Sequence, residues 1–124
     1  MDAQELLEKY DKAAVVVKQF YLAHMLESLN DDNLHENFKD FVREQGMSNE
    51  DVAIMINASP RTLFDVFDKH NIYITTLVSA VDGYFRWEIS TDKENWDTSE
   101  YLNNRKEAEL AGVIKAFEIL NEKL

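Results

Sequence analysis

The residue types that could carry chemistry are scattered along this chain. The histidines, His24, His35 and His70, lie far apart, and none has a second histidine four residues away on the same helix, the spacing used by helical metal sites. Each is therefore expected to be an ordinary surface or partly buried side chain.

Other chemical signatures are also missing from the sequence. The carboxylate pairs Asp31–Asp32 and Glu50–Asp51 lie at predicted helix starts, where capping and the helix dipole account for them. The glycines at 46, 83 and 112 form no phosphate-binding loop, and there is no cysteine. No catalytic, metal-ligating or cofactor-binding residue is predicted, and the chain is expected not to be an enzyme.

Composition limits the fold and the partners. The 124 residues, 45% of them hydrophobic, suffice for one compact domain or for two small subdomains that share a core. With 24 acidic against 13 basic residues, the formal net charge of −11 argues against nucleic acid as a partner. No signal-peptide pattern and no apolar run of about 20 residues is present, so a cytoplasmic location and no membrane partner are expected.

An amphipathic pattern without glycine or proline predicts one long helix from Asp2 to about Leu29. Its apolar stripe is broad, so the helix is expected to contact neighbours on two sides. These are either the rest of the chain or a second copy, which would make residues 2–29 a homodimer interface with Tyr21 and Met25 as candidate interaction residues. The stripe consists of Leu6, Leu7, Tyr10, Ala13, Ala14, Val17, Phe20, Tyr21, His24 and Met25.

Two shorter helices are predicted next. Residues 30–33 are polar and can cap a helix that runs to about Gln45, which Gly46 ends in the left-handed conformation. Ser48 then caps a third helix, with Asp51 three residues later as in a capping box.

Residues 48–71 resemble the helix-turn-helix family of DNA-binding proteins. The resemblance implies a left-handed turn at Asn57, in place of the family's glycine, and a cap at Ser59 for a second helix that opens at Pro60. The positions that match the family's pattern are Val52, Ala53, Ile56, Asn57, Ala58, Ser59, Thr62 and Leu63.

The helix that opens at Pro60 would face DNA if the family's geometry held. It would present Arg61, Thr62, Phe64, Asp65 and Asp68 to a major groove. Only Arg61 suits a guanine edge or a phosphate, while both aspartates would face a polyanion. The segment is interpreted either as a structural helix pair or as part of a DNA-binding regulator that dimerises through the first helix.

Residues 60–124 resemble small uncharacterised proteins of bacterial phages and mobile elements. The shared features are a helix that ends in HNI, a strand pair, and a final helix that opens with EA and carries AG. The resemblance implies an architecture and no activity, so it transfers no functional residue. The matching residues are His70, Asn71, Ile72, Glu107, Ala108, Ala111 and Gly112.

Within that half, Asp82-Gly83 predicts a two-residue hairpin turn of type I′. This turn pairs Val78 with Trp87, and it places the apolar side chains of both strands on one face of the sheet. The opposite face is mostly polar.

A helix from about Asn104 to Lys123 is predicted to cover the apolar face, and Gly112 indicates a close approach to the Trp87 ring. Trp96 and Tyr101, in the loop before this helix, are either anchors that close the core edge or an exposed aromatic site. The predicted inward stripe of the helix is Leu110, Val113, Ile114, Phe117 and Leu120.

The sequence thus predicts an α+β fold in a single domain, residues 1–124, with a helical subdomain at 1–59 and a helix–hairpin–helix subdomain at 60–124 that share one core. The predicted function is a small acidic protein-interaction module that binds through its first helix or its exposed hairpin edge. Two alternatives stay open: a helix-turn-helix DNA-binding regulator, and an acidic nucleic-acid mimic that inhibits a basic target. The mimic rests on the 12 acids and 5 bases of residues 1–59, net −7.

Overall fold

The computed structural model describes residues 1–28, 40, 44–58 and 60–124. The predicted α+β class is confirmed, since the described residues form helices and one small antiparallel sheet with strand order β1-β2-β3. The helix predicted at about 30–45 lies largely outside them, although Gly46 has the expected left-handed φ of 67°. The elements are α1 (Ala3–Lys9), α2 (Asp11–Ser28), α3 (Asn49–Ala58), α4 (Pro60–Lys69), β1 (Tyr73–Val78), β2 (Phe85–Ser90), β3 (Asp97–Thr98) and α5 (Arg105–Lys123).

The chain divides into two compact units, Met1–Leu63 and Phe64–Leu124, whose border lies within α4. This border falls close to the predicted one between residues 59 and 60. The core that the two halves were predicted to share stays a prediction.

The N-terminal segment forms two helices where one was predicted. Asp2 caps α1, and the helix ends at Tyr10, whose backbone has φ −107° and ψ 73°. The helix restarts at Asp11, an acidic residue that the helix dipole favours in the first turn. The Tyr10 N–H donates to Leu6 O at 3.0 Å and its carbonyl accepts from Ala14 at 2.8 Å, so the bend leaves the Tyr10 backbone paired. The periodic pattern therefore continues across the break and hides it.

Most of the broad apolar stripe is buried inside the first unit, while Tyr10, Phe20 and Met25 are half-buried. There α1 packs against α2 and α3, and α2 also packs against α3, which accounts for the width of the stripe. His24 is exposed, as expected of an ordinary surface histidine, although the helical pattern had included it in the stripe. The buried apolar residues of the three helices are Leu6, Leu7, Ala13, Ala14, Val17, Tyr21, Val52, Ala53 and Ile56.

The start of α3 follows the prediction and its end does not. The Ser48 Oγ accepts the Asp51 N–H at 3.1 Å, which confirms the cap. The helix continues through Asn57 to Ala58, so the left-handed turn predicted at Asn57 is wrong. Asparagine only tolerates that conformation, and here helical backbone hydrogen bonding prevails. Ser59 lies outside the described residues, and Pro60 is the first residue of α4, as predicted.

A Schellman motif ends α4 and leads directly into β1. Asn71 has φ 59°, its N–H donates to Asp68 O at 3.1 Å, and the Ile72 N–H donates to Phe67 O at 2.9 Å. Ile72 and Phe67 are fully buried, as the apolar pair of this motif usually is.

The hairpin of β1 and β2 has a longer turn than predicted. Val78 pairs with Phe85, so each β1 residue faces a residue two positions earlier than in the predicted register. The Ser79 N–H donates to Tyr84 O at 2.8 Å and its carbonyl accepts from Gly83 at 3.0 Å, closing a four-residue loop over 80–83. Gly83, at φ 74°, is the one loop residue with positive φ, which excludes the predicted type I′ turn.

Side chains select this longer loop. The Ser79 Oγ accepts the Val81 N–H at 3.4 Å, and the Asp82 carboxylate accepts the Tyr84 N–H at 3.2 Å. Because the register differs by two residues, every side chain keeps its predicted face.

A third strand lies in the segment that was predicted to be a loop. Asp97–Thr98 pair with β2, and the Ser99 N–H donates to Trp87 O at 3.0 Å. Further on, Leu102 and Phe85 exchange two backbone hydrogen bonds of 2.6 and 2.8 Å. Residues 100 and 101 therefore both lie opposite one β2 residue, Arg86, and form a β-bulge. A ladder this short has no sequence period, which is why the pattern did not reveal it.

Small residues bring α5 close to the sheet. A Cβ added at Gly112 would lie 3.1 Å from Trp87 Cβ and 3.3 Å from Ile74 Cγ2, so the predicted close approach is confirmed. Leu110, predicted to point inward, is 42% exposed because it lies about 200° around the helix from buried Ala108. The buried residues of α5 are Ala108, Gly112, Ala116, Phe117 and Leu120, while Val113 and Ile114 are half-buried.

Two contacts hold α5 to the end of α4. The rings of Phe67 and Phe117 meet edge to face, with centroids 5.6 Å apart and planes at 83°. The Lys123 ammonium donates to His70 O at 2.7 Å, next to the helix end, where a cation is favoured.

Candidate protein-interaction surface on the edge of the sheet

The residues predicted to face DNA do not form one exposed surface. Arg61 and Asp65 are exposed, Phe64 is half-buried, and Thr62 is buried. Thr62 is therefore withdrawn as a groove-facing residue, because its side chain belongs to the buried side of α4. Asp68 is exposed on the same helix and adds negative charge.

The residues predicted as an interaction surface also separate. Tyr21 is 1% exposed, which removes it from any binding surface, and Met25 is half-buried. Trp96 and Tyr101 are exposed, so the interpretation as anchors of the core edge is wrong and the exposed aromatic site is retained. Residues 97–102 pair with β2 through backbone hydrogen bonds and so close the side of β2 away from β1. This closure needs no aromatic anchor.

The hairpin edge that was predicted as a binding surface corresponds to the outer side of β1. The sheet order makes β2 central, and β3 covers its other side, so β1 is an outer strand. Among the described residues, no strand pairs with the side of β1 that faces away from β2. The Ser79–Tyr84 hydrogen bond sets the alternation of the ladder, and it directs the backbone N–H and C=O groups of Ile74, Thr76 and Val78 away from β2. These outward backbone groups are called the β1 edge below.

The β1 strand has no charged residue, proline or bulge, which are three common ways to block an outer strand. Residues 70–81 contain no Asp, Glu, Lys or Arg, although 30% of the chain is charged. They also contain no proline, and the β1–β2 ladder is continuous from Tyr73 to Val78 without a bulge. Natural outer strands normally carry a charge, a proline or a bulge because an open edge recruits other strands. The hairpin edge was predicted as a binding surface, and the uncharged run is a sequence signal that could have assigned it to β1.

Exposed apolar side chains continue the β1 edge around the hairpin turn. Leu77 and Val78 are exposed at the end of β1, Val81 in the loop is 96% exposed, and Tyr84 is exposed just before β2. These four side chains are called the tip patch. Leu77 and Val78 lie on opposite faces of the sheet, so the tip patch surrounds the turn. Several exposed large apolar side chains around one turn are typical of a contact surface.

The open face of the sheet carries paired charges. The Arg86 guanidinium bonds the Glu88 carboxylate at 3.1 Å and lies 5.6 Å from the centroid of the Tyr101 ring. The bulge at residues 100–101 places Tyr101 on this face beside Arg86. Lys93 lies 4.7 Å from the centroid of the Tyr73 ring. Each of these cations therefore has an aromatic or acidic neighbour.

The loop that follows β2 is held by one carboxylate. Asp92 accepts hydrogen bonds from the Asn95 backbone and side chain at 2.8 and 2.9 Å and from the Glu94 N–H at 2.8 Å. The Ser90 hydroxyl also donates to it, at 3.1 Å. These bonds, those of Asn95 first, hold the pKa of Asp92 well below its usual range. Asp92 is thus a structural carboxylate that is occupied by its own loop.

The described residues contain no cluster of three or more His, Asp or Glu side chains that could hold a metal ion. Within the same residues, no helix is long and apolar enough to cross a membrane.

No protein-family model, curated protein or solved structure matches the chain. The resemblance of residues 60–124 to phage and mobile-element proteins therefore stays a prediction.

Proposed function

We propose that this protein is a protein-interaction module that takes up an extended segment of a partner as an additional strand beside β1. The observation that carries the proposal is the β1 edge: an uncharged outer strand whose outward backbone groups have no strand partner among the described residues. Strand addition supplies affinity through backbone hydrogen bonds, and side chains on alternate positions supply selectivity.

The tip patch supports the same interaction. An incoming strand aligned with β1 would reach Val78 and could cover Val81 and Tyr84, two apolar side chains that are exposed without it. Burying apolar area contributes about 25 cal/mol per Å², so these side chains would add to the backbone hydrogen bonds.

One pair of variants distinguishes binding at the β1 edge from binding elsewhere on the surface. In Val78→Pro the outward N–H is lost, whereas the β1–β2 ladder keeps its bonds, because the N–H of residue 78 does not point to β2. In Val78→Ala the N–H is kept and side-chain area is lost. Random peptides displayed on phage are selected on the wild-type protein and then measured on both variants, with circular dichroism as the check that both are folded.

We expect the selected peptides to bind wild type and Val78→Ala, and to lose most of their affinity for Val78→Pro. Amide chemical shifts on binding should change most at Ile74, Thr76 and Val78. Equal binding of the selected peptides to both folded variants would contradict the proposal. So would a selection that yields no peptide above background.

A further inference from the structure

We infer that the segment taken up at the β1 edge is basic, with Lys or Arg next to the hairpin turn and an apolar residue opposite Leu77. This inference rests on the proposed function and adds the chemical class of the partner.

The second unit carries a net negative charge. Residues 64–124 hold 12 acids and 7 bases, net −5. Two ion pairs of this unit are Arg86–Glu88 and Lys115–Glu118. Asp82, exposed in the turn, is the acid next to β1, while the exposed Glu94, Asp97 and Glu100 lie on the β3 side, across β2 from the β1 edge, and add to the field at longer range.

The cations near the sheet are already engaged. Arg86 is held by Glu88 and Tyr101, Lys93 lies over Tyr73, and the Arg105 guanidinium lies 5.4 Å from the Phe85 ring centroid. An acidic segment would therefore find few free cations, whereas a basic segment would be attracted from a distance and paired on arrival.

The position of the charges determines which end of the added segment is basic. Asp82 is exposed in the loop that follows β1 directly, so an incoming strand that extends past Val78 meets a carboxylate at this end. At the other end, Tyr73 is covered by the Lys93 ammonium. In the middle, the exposed β1 side chain beside Thr75 on the open face is Leu77, which favours an apolar neighbour on the added strand.

A second copy of this chain fits the edge less well than a basic segment does. Two copies would bring together two bodies of formal charge −11, which repel each other. The uncharged β1 strand itself offers no cation to offset that repulsion.

The test uses two synthetic peptides with the same core of alternating valine and threonine, one flanked by lysines and one by glutamates. Binding to the full chain is measured by fluorescence anisotropy at low and at physiological salt. We expect the lysine peptide to bind about tenfold more tightly, as two or three exposed ion pairs would provide, and the preference to shrink as salt rises. In Asp82→Asn, whose amide oxygen can still accept the Tyr84 N–H, the preference should fall severalfold.

Two substitutions of opposite charge at Thr75, an exposed β1 position, distinguish a basic peptide from a second copy of the chain as the occupant of the β1 edge. Thr75→Lys should weaken binding of the lysine peptide, and Thr75→Glu should preserve or strengthen it. If both variants weaken self-association of the protein alone, measured by sedimentation, and leave peptide binding unchanged, the occupant is a second copy and the inference is overturned.

The remaining outcomes separate the two proposals. Equal affinity of the two peptides, with loss of both in Val78→Pro, overturns the basic partner and leaves strand addition standing. A lysine preference that persists in folded Val78→Pro means that the peptide is held elsewhere by the negative surface, which overturns both.

Discussion

Gly112 on α5 faces Trp87 on β2 so closely that a Cβ added at the glycine would lie 3.1 Å from the tryptophan Cβ. The second contact, 3.3 Å to Ile74 Cγ2, lies on β1, so the helix is seated over both strands of the hairpin at this one residue. The tryptophan Cβ is attached to the backbone of the central strand and has little room to yield. The distance between helix and sheet is therefore set at Gly112.

Gly112→Val should destabilise the protein by about 1–3 kcal/mol, because the added carbons overpack this contact. Urea unfolding followed by circular dichroism measures the change. Leu110→Val is the control, since it places the same residue at an exposed position of the same helix and should change the free energy of unfolding by about 0.5 kcal/mol or less. Equal stability of the two variants would show that α5 does not approach the sheet as described.

Asn71 should tolerate glycine better than alanine. At φ 59° glycine adopts the left-handed turn freely, whereas alanine incurs a cost of about 1 kcal/mol. Asn71→Gly loses the exposed bond from the Tyr73 hydroxyl, 3.1 Å long, and should stay within about 0.5 kcal/mol of wild type. The same unfolding measurement ranks the variants, and alanine proving as stable as glycine would contradict the Schellman end of α4.

The hairpin register can be tested by cross-linking, because the chain has no cysteine of its own. Leu77 and Arg86 are direct partners, at a Cα separation typical of antiparallel pairs and within reach of a disulfide. The double variant Leu77→Cys, Arg86→Cys should oxidise readily, as read by intact mass and free-thiol content. Leu77→Cys, Glu88→Cys, the pair that a two-residue turn would align, should remain reduced, and the opposite result would restore the predicted register.

Acid should weaken the Asp92 loop. Because the folded pKa of Asp92 is lowered, its hydrogen bonds contribute stability above the ordinary value of 3.8, and this contribution is lost as the pH falls below it. The difference in unfolding free energy between wild type and Asp92→Ala should therefore be constant near neutral pH and shrink in acid. Carbon-detected NMR of the carboxyl group should show a midpoint below that of ordinary aspartates, and an ordinary midpoint would contradict the bonding described.

Local signals in the sequence located several features correctly. The hydroxyl of Ser48 marked the start of α3, Pro60 marked the start of α4, and Gly112 marked a close approach to Trp87. Each depends on a few neighbouring residues and on steric rules that hold wherever the segment lies. The alternation of the hairpin strands likewise assigned the apolar face, even in the wrong register.

The position of β1 as an outer strand, on which the candidate site depends, cannot be predicted from the sequence pattern. The uncharged run at 70–81 is visible in the sequence, but whether a strand is central or outer depends on which side of β2 receives β3. The two residues of β3 pair through their backbones, which every residue type can do. The exposure of Tyr101 follows from the bulge opposite Arg86 in the same way.

The sequence by itself determined the α+β class, the helix caps it marked and the faces of the hairpin, because these follow from periodicity and local hydrogen bonding. Tertiary structure decided the break at Tyr10, the third strand and which apolar side chains stay exposed at Val78 and Val81. The four-residue turn is selected by local bonds of Ser79 and Asp82 that the Asp-Gly signal did not predict. Competing local conformations differ by about 1 kcal/mol or less, so the packing of distant segments selects among them.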